Sequence, residues 1–216
     1  MRALLALVIP FGALFAQRPA VTLDHEPKHH LVFANEWVHV LDVVVPAGDS
    51  TLYHVHSNDY VYVTFGAVAL EAQALGSAAT DLSLANGEVR FTKATITHRV
   101  VNPSATPFHN LTIEVLKTPG VRDSTPSGAA VVLENDRVRA ERVVLEPGQS
   151  TVRHDHRGPG LDVAVSPGLM SVANADGEPE RIAYKAGDFR WHDGGRTHTL
   201  TNIGSTRIEI VEIDWK

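Results

Sequence analysis

Six histidines, set out twice in the same spacing, carry the chemistry that this chain can do. His54 and His56 are separated by one residue and His98 follows well downstream; His154, His156 and His198 repeat the arrangement 100 positions later. Gly48, Ser50, Thr51, Gly87, Arg90 and Asn102 repeat at the same offset as Gly148, Ser150, Thr151, Gly187, Arg190 and Asn202. An offset shared by every pair is the mark of an internal duplication. Two residues apart on a strand, a pair of imidazoles faces the same side. A third imidazole from a strand alongside would converge on them, giving a three-nitrogen donor set for a transition metal with open positions.

The elements that position these histidines read as short strands. Residues 37–45 end at Pro46-Ala47-Gly48, residues 60–65 end at Gly66, and Leu111, Ile113 and Val115 alternate with Thr112 and Glu114. That alternation is the signature of a strand with one buried face. No stretch after the N-terminal leader keeps a helical apolar period, so the fold class is all-β, and a closed or double-sheet form resolves the edge strands. The turn formers of residues 118–128 make the linker, which divides the chain into units at 31–117 and 129–216. Residues 1–16 pair a cationic start at Arg2 with an apolar run, the layout of a secretory signal peptide, and a polar arm fills residues 17–30. The expected location is secreted or periplasmic. With no cysteine in the chain, no disulfide, thiolate metal site or cysteine nucleophile is available. A net charge of −6 without any basic block argues against a nucleic-acid partner.

The two copies resemble the cupin superfamily, whose motifs read G-x5-H-x-H-x3,4-E-x6-G and G-x5-P-x-G-x2-H-x3-N. Gly48, His54, His56 and Gly66 match the first motif, and Gly87, His98 and Asn102 match the second. Gly148, His154, His156 and Gly168, then Gly187, Gly195, His198 and Asn202, match them again. The resemblance spans residues 31–216 and implies a bicupin: two tandem double-stranded β-helix (jelly-roll) barrels. It further implies one divalent transition metal (Mn, Fe, Ni, Co or Zn) per active barrel, held by His54, His56 and His98 and by His154, His156 and His198. Counting back from Gly66, the motif glutamate falls on Asp59. The same count from Gly168 lands on Leu161, with Asp162 beside it and usable only if a bulge shifts the strand. Lys93 and Asp193 replace the motif proline, and Thr95 a motif glycine. On this count the first unit carries the carboxylate and hence the tighter site and any catalysis.

The resemblance implies dioxygenase, oxidase, decarboxylase or isomerase chemistry on a small organic acid or phenolic compound. A non-catalytic holder of a metal or small ligand is the alternative, because one fold hosts many functions. No general acid or base stands out, and no catalytic residue is assigned; Asp59 is the in-motif carboxylate that could serve if it is not a ligand. The partners expected are a small molecule and, compatibly, further copies of the chain, with no membrane once the leader is removed. Arg90 and Arg190, near Glu88 and Asp188, read as ion pairs at strand edges. Asn35 and Asn135 read as turn residues, and Trp37 and Trp215 as packing. His25, His29 and His30 read as part of a disordered arm. Tyr60 and Tyr62 are expected to line an interface between sheets and not the metal pocket.

Overall fold

A computed structural model describes residues 19–120 and 125–216. The leader at residues 1–16 and positions 121–124 of the linker lie outside the described residues. Apart from one 3-10 turn at Leu23–His25, the described residues form strands and loops. The first half contributes β1 (Val21–Thr22), β2 (His29–Ala34), β3 (Val38–Val45), β4 (His54–His56), β5 (Asp59–Phe65), β6 (Val68–Ala74), β7 (Thr80–Leu84), β8 (Val89–Thr92), β9 (Ile96–Val101) and β10 (Phe108–Val115). The second contributes β11 (Ala130–Glu134), β12 (Val138–Leu145), β13 (His154–His156), β14 (Gly160–Ala164), β15 (Gly168–Asn174), β16 (Glu180–Tyr184), β17 (Phe189–His192), β18 (Arg196–Asn202) and β19 (Ile208–Trp215).

These strands make four sheets, two per half. The orders β2-β3-β10-β5-β8 and β1-β4-β9-β6-β7 build barrel 1, and β11-β12-β19-β14-β17 and β13-β18-β15-β16 build barrel 2. The fold is all-β, two jelly-roll barrels in tandem, as the duplication and the resemblance lead one to expect.

Packing assigns the strand faces. Leu41, Val43 and Val45 of β3 turn into barrel 1 and pack with Leu70, Leu84 and Phe108. Val38 and Val40 of the same strand turn outward. There they join Val61, Val63, Leu111, Ile113 and Val115, and across from them Val138, Leu161, Val163, Val211, Ile213 and Trp215 of barrel 2, in one core between the barrels. Fully burying a Val, Leu or Ile side chain is worth roughly 1.5–3 kcal/mol, so a separated barrel would expose a costly apolar face. This alters the reading of β10. Its apolar alternates face barrel 2, and the polar alternates Asn110, Thr112 and Glu114 are buried inside barrel 1 instead of facing water.

The described residues of the arm are tied to the barrel. Val21–Thr22 pairs parallel with His54 and Val55, and His29 opens the edge strand paired to β3. The arm therefore straddles both sheets of barrel 1.

Candidate metal centres

The repeated residues outside the histidines set the register of the histidine strands. The Asn102 amide donates to Val45 O (2.9 Å) and Thr106 O (2.8 Å), while Gly48 N donates to Asn102 O (2.8 Å). Gly48 sits at φ 72°, a left-handed turn that suits glycine. Thr51 N donates to Val100 O, and Val100 N donates back to the Thr51 hydroxyl, both at 2.9 Å. With the strand pair locked in this way, His54 lies directly across from His98. Asn202, Gly148 and Thr151 make the equivalent bonds in barrel 2, and His154 lies across from His198.

In barrel 2 the three Nε2 atoms converge. His198 Nε2 lies 2.8 Å from His154 Nε2 and 3.1 Å from His156 Nε2. A carboxylate completes the group: Glu212 of β19 reaches the His154 and His198 Nε2 atoms at 3.3 Å and that of His156 at 3.5 Å. All four residues are buried. His154 Nδ1–H donates to Val152 O (2.9 Å), which leaves Nε2 as the lone-pair nitrogen. His156 Nδ1–H donates to Asp214 (2.7 Å), the carboxylate support typical of metal-bound imidazole. Burial opposes charging His156, but Asp214 and Glu212 outweigh it and raise its pKa to about 10. Burial likewise opposes ionisation of Glu212, yet its histidine partners hold it well below the usual carboxylate range. Three imidazoles and one carboxylate, their donor atoms about 3 Å apart, fit an ion bound at roughly 2.0–2.2 Å.

Barrel 1 has the same three histidines without a carboxylate. His54 Nδ1–H donates to Leu52 O (2.9 Å), and the His54 and His56 Nε2 atoms are 3.2 Å apart. The His98 ring centroid lies 4.6 Å from that of His54 and 5.2 Å from that of His56. His56 Nδ1 and His98 Nε2 are buried without a hydrogen-bond partner. Burial, reinforced by neighbouring imidazoles, pushes the pKa of His54 down to about 4, of His98 to about 3 and of His56 to about 2. Neutral imidazoles with orphaned nitrogens fit a metal ion. A fourth imidazole stands beside the H-x-H pair: the donor nitrogens of His29, His54 and His56 lie within 4.8 Å of one another, whereas those of His98 fall outside that group. A cavity of about 200 Å³ opens off this cluster, walled by apolar side chains such as Leu70, Leu82 and Phe108 and by Tyr60, Tyr62, Asn110 and Thr112.

No protein-family model matches the chain, and no curated protein sequence does so. Solved structures match its fold along most of its length. AerE from Microcystis aeruginosa superposes with a TM-score of 0.59 at 13% identity, over 88% of this chain and 98% of that one. Oxalate decarboxylase from Lactobacillus farciminis, in its formate complex, gives 0.61 at 12% identity, over 84% and 77%. The Bacillus subtilis oxalate decarboxylase, whose Mn(II) centres have been characterised, gives 0.58 at 12% identity, over 83% and 69%. The chain has the bicupin fold.

Within this bicupin the sequence-assigned carboxylates lie elsewhere. Asp59 shares the outward face of β5 with Val61; its carboxylate accepts from Ala94 N (2.8 Å) and pairs with Arg137 of barrel 2 at 3.2 Å. It is not part of the histidine cluster, because the count back from Gly66 lands one residue short of the inward face. The inward position is Tyr60, whose ring stacks on His56 with centroids 4.1 Å apart. Tyr60 and Tyr62 thus line the metal pocket, contrary to the expectation that they line an interface. In barrel 2 Leu161 lies in the inter-barrel core, and Asp162 points inward without a bulge. Asp162 binds Arg196 at 2.9 Å and not the histidine cluster. The carboxylate of this centre, Glu212, and the extra imidazole His29 were both missed. The duplication held little signal for Glu212: its partner at the 100-residue offset is Thr112, and of that strand only Ile113 and Ile213 are identical between the halves. The expectation that the first unit holds the carboxylate is reversed.

The remaining assignments are structural. The Asn35 and Asn135 carboxamide oxygens each accept two backbone N–H bonds in a turn. Arg90 pairs with Glu88, whereas Arg190 forms a two-pronged bond to Glu180 and not to Asp188. Trp215 is buried between the barrels, and Trp37 packs at the edge of that core.

Proposed function

We propose that this bicupin is an exported, metal-dependent enzyme that acts in barrel 1 on a small, largely apolar organic molecule, with single-ring phenols the best-suited class. The observation that carries the reading is the cavity beside His54, His56 and His98. At about 200 Å³ it is larger than the roughly 150 Å³ cavity that accommodates benzene. Among the described residues that line it, none is Lys, Arg, Asp or Glu. A dianionic acid would enter without a cation to meet it other than the metal, whereas a ring finds apolar walls and two tyrosines.

His54, His56 and His98 would hold the metal, which supplies Lewis-acid and, if redox-active, electron-transfer chemistry when bound. The rest is done by the chain. Leu70, Leu82 and Phe108 exclude water from the ligand. Burial raises the pKa of Tyr60, and pushes that of Tyr62 up to about 12, so both hydroxyls stay protonated at neutral pH. Thr112, in donating to Asn110 (2.7 Å), fixes a polar patch of the cavity wall. Export rests on the charge and apolar pattern of residues 1–16; among divalent ions, Fe, Ni, Co and Zn suit the imidazoles of barrel 1, and Mn suits the carboxylate-bearing set of barrel 2.

The absence of a carboxylate from the cavity wall favours a second reading, a non-catalytic holder of the same ligand, because a general acid or base would have to come from the tyrosines. A panel of single-ring phenols and short dicarboxylic acids, screened with metal-loaded protein for binding, oxygen uptake and product mass, separates the readings. Turnover of phenols that is lost in a His54→Ala/His98→Ala variant supports the enzyme. Binding without turnover supports the holder, and turnover restricted to dicarboxylates overturns the ligand class.

A further inference from the structure

We infer that barrel 1 is a four-imidazole metal centre whose fourth ligand, His29, is delivered by the N-terminal arm and held in place by Glu26. The inference rests on reading barrel 1 as a metal site and adds a ligand that neither cupin motif contains.

The geometry around His29 is that of a supported ligand. Its ring is buried and tilted against His54, with centroids 4.5 Å apart, and 5.8 Å from His56. His29 Nδ1–H donates to Glu26 at 2.6 Å, which leaves Nε2 for the cluster. The Glu26 side chain is wholly buried and also accepts from Lys28 N (2.9 Å) and Leu52 N (3.1 Å). Leu52 is the residue whose carbonyl orients His54. One carboxylate therefore ties the arm to the loop that enters β4 and aims two imidazoles at once. In barrel 2 the same carboxylate–imidazole support comes from Asp214 and His156.

Elimination points the same way. At the position of Glu212 barrel 1 has Thr112, whose hydroxyl is engaged with Asn110. Asp59 is bonded to Arg137, and Tyr60 is engaged with Thr92. The counterpart of His29 in barrel 2 is Ala129. Each barrel thus has three shared imidazoles and one private group, an imidazole in barrel 1 and a carboxylate in barrel 2. An all-imidazole set suits Zn, Ni, Cu or Fe, whereas a carboxylate ligand extends the choice toward Mn.

The test is a titration of the unaltered full-length chain with diamagnetic Zn(II), with the coordination shifts of the histidine side-chain 15N resonances followed by NMR and metal counted per chain. His29 should shift or broaden at the same stoichiometry as His54 and His98. In parallel, Co(II) affinities should be measured for His29→Ala and Glu26→Gln, with barrel 2 as an internal control of folding. His29→Ala should weaken the barrel 1 site at least 100-fold, and Glu26→Gln 10- to 100-fold, the range for losing a supporting partner; barrel 2 affinity should be unchanged in both. If His54 and His98 respond while His29 does not, or if His29→Ala binds at barrel 1 as tightly as the parent, the inference is overturned. If none of the four barrel 1 histidines responds, the reading of barrel 1 as a metal site fails with it. Should His29→Ala not fold, the titration of the unaltered chain decides alone.

Discussion

The two barrels are one scaffold with two interiors. Apart from the edge strand β1, which has no counterpart in barrel 2, their strand pairings coincide down to the residues opposite the metal-facing histidines, with His54 across from His98 and His154 across from His198. The differences that set the two interiors lie at a few inward positions. Thr112, Asn110, Ala72 and Thr92 of barrel 1 correspond to Glu212, Ile210, Val172 and His192 of barrel 2. Each replacement is bulkier in barrel 2. Tyr60 and Gly160 go the other way, and the exchange is compensated: a Cβ at Gly160 would lie 2.4 Å from His192 Nε2. Barrel 1 keeps a cavity beside neutral imidazoles, while barrel 2 sets a buried carboxylate among its imidazoles. The duplicated scaffold fixes where the imidazoles meet, and a few side chains facing inward decide what surrounds them.

The strongest way to break this contrast is at position 112/212. Removing Glu212 leaves buried histidines without their counter-charge, and breaking a buried ion pair costs about 3–5 kcal/mol. Urea denaturation of metal-free Glu212→Ala should show a loss of that size, together with loss of the barrel 2 metal. Thr112→Ala, at the equivalent point in barrel 1, should cost about 1 kcal/mol, the net worth of one hydrogen bond. Equal losses in the two variants would contradict the contrast.

Next in size is the Tyr60/Gly160 exchange. Gly160→Ala places a methyl group against His192 and also 2.6 Å from Ile213 O. It should lower stability by about 1–3 kcal/mol, the usual cost of overpacking, as read by thermal denaturation. His192→Thr introduced alongside it should restore part of the loss.

The pH response of the metal-free chain should have an acid limb in both barrels and an alkaline limb in barrel 2, where burial pushes His192 down to about 3 while its carboxylates raise His156. In barrel 1 the histidines titrate below their ordinary 6.5, at about 4 for His54, so the unfolded state takes up protons first. Stability present above pH 6.5 is therefore lost as the pH falls toward 4. In barrel 2, His156 titrates at about 10, so the stability it contributes is complete below pH 6.5 and lost as the pH rises through 10. Hydrogen exchange, corrected for intrinsic rates, should show protection of β4 and β9 falling on the acid side alone and that of β13 and β18 falling on the alkaline side as well. Identical profiles would remove this distinction.

The smallest effect is expected at Asp59. Its partly exposed pair with Arg137 is worth at most about 1 kcal/mol. Asp59→Asn should leave the metal content unchanged by elemental analysis, and a lost metal would return Asp59 to the ligand set.

Much of this was legible in the chain. The 100-residue offset revealed the duplication, the H-x-H spacing placed two imidazoles on one face, and the short strands gave the all-β class. The fourth ligands were not legible, for a physical reason. Strand alternation shows that two faces differ, but not which of them meets water. In β10, and in the C-terminal half of β19 at Val211, Ile213 and Trp215, the apolar alternates pack against the other barrel, so the polar ones, which read as solvent-facing, point into the barrel instead. That concealed Glu212 and made Glu114 look exposed. His29 was concealed by its polar neighbours, since Asp24, Glu26 and Lys28 give the arm the composition of a solvated segment. The bond from Leu52 N to Glu26 is tertiary and leaves no local pattern, and the local Glu26–His29 pair gives no sign of the histidines it meets in space.

The central claim, that barrel 1 is a metal centre serving a ligand cavity and barrel 2 a separate carboxylate-bearing centre, is tested most directly by metal stoichiometry. Mass-spectrometric metal analysis of the untagged chain should be compared with His54→Ala/His98→Ala and His154→Ala/His198→Ala, each also assayed for phenol binding. The account predicts two ions in the parent and one in each variant, with phenol binding lost only in the barrel 1 variant. A parent with a single ion that survives in the His54→Ala/His98→Ala protein, or phenol binding lost only with the barrel 2 histidines, would contradict it.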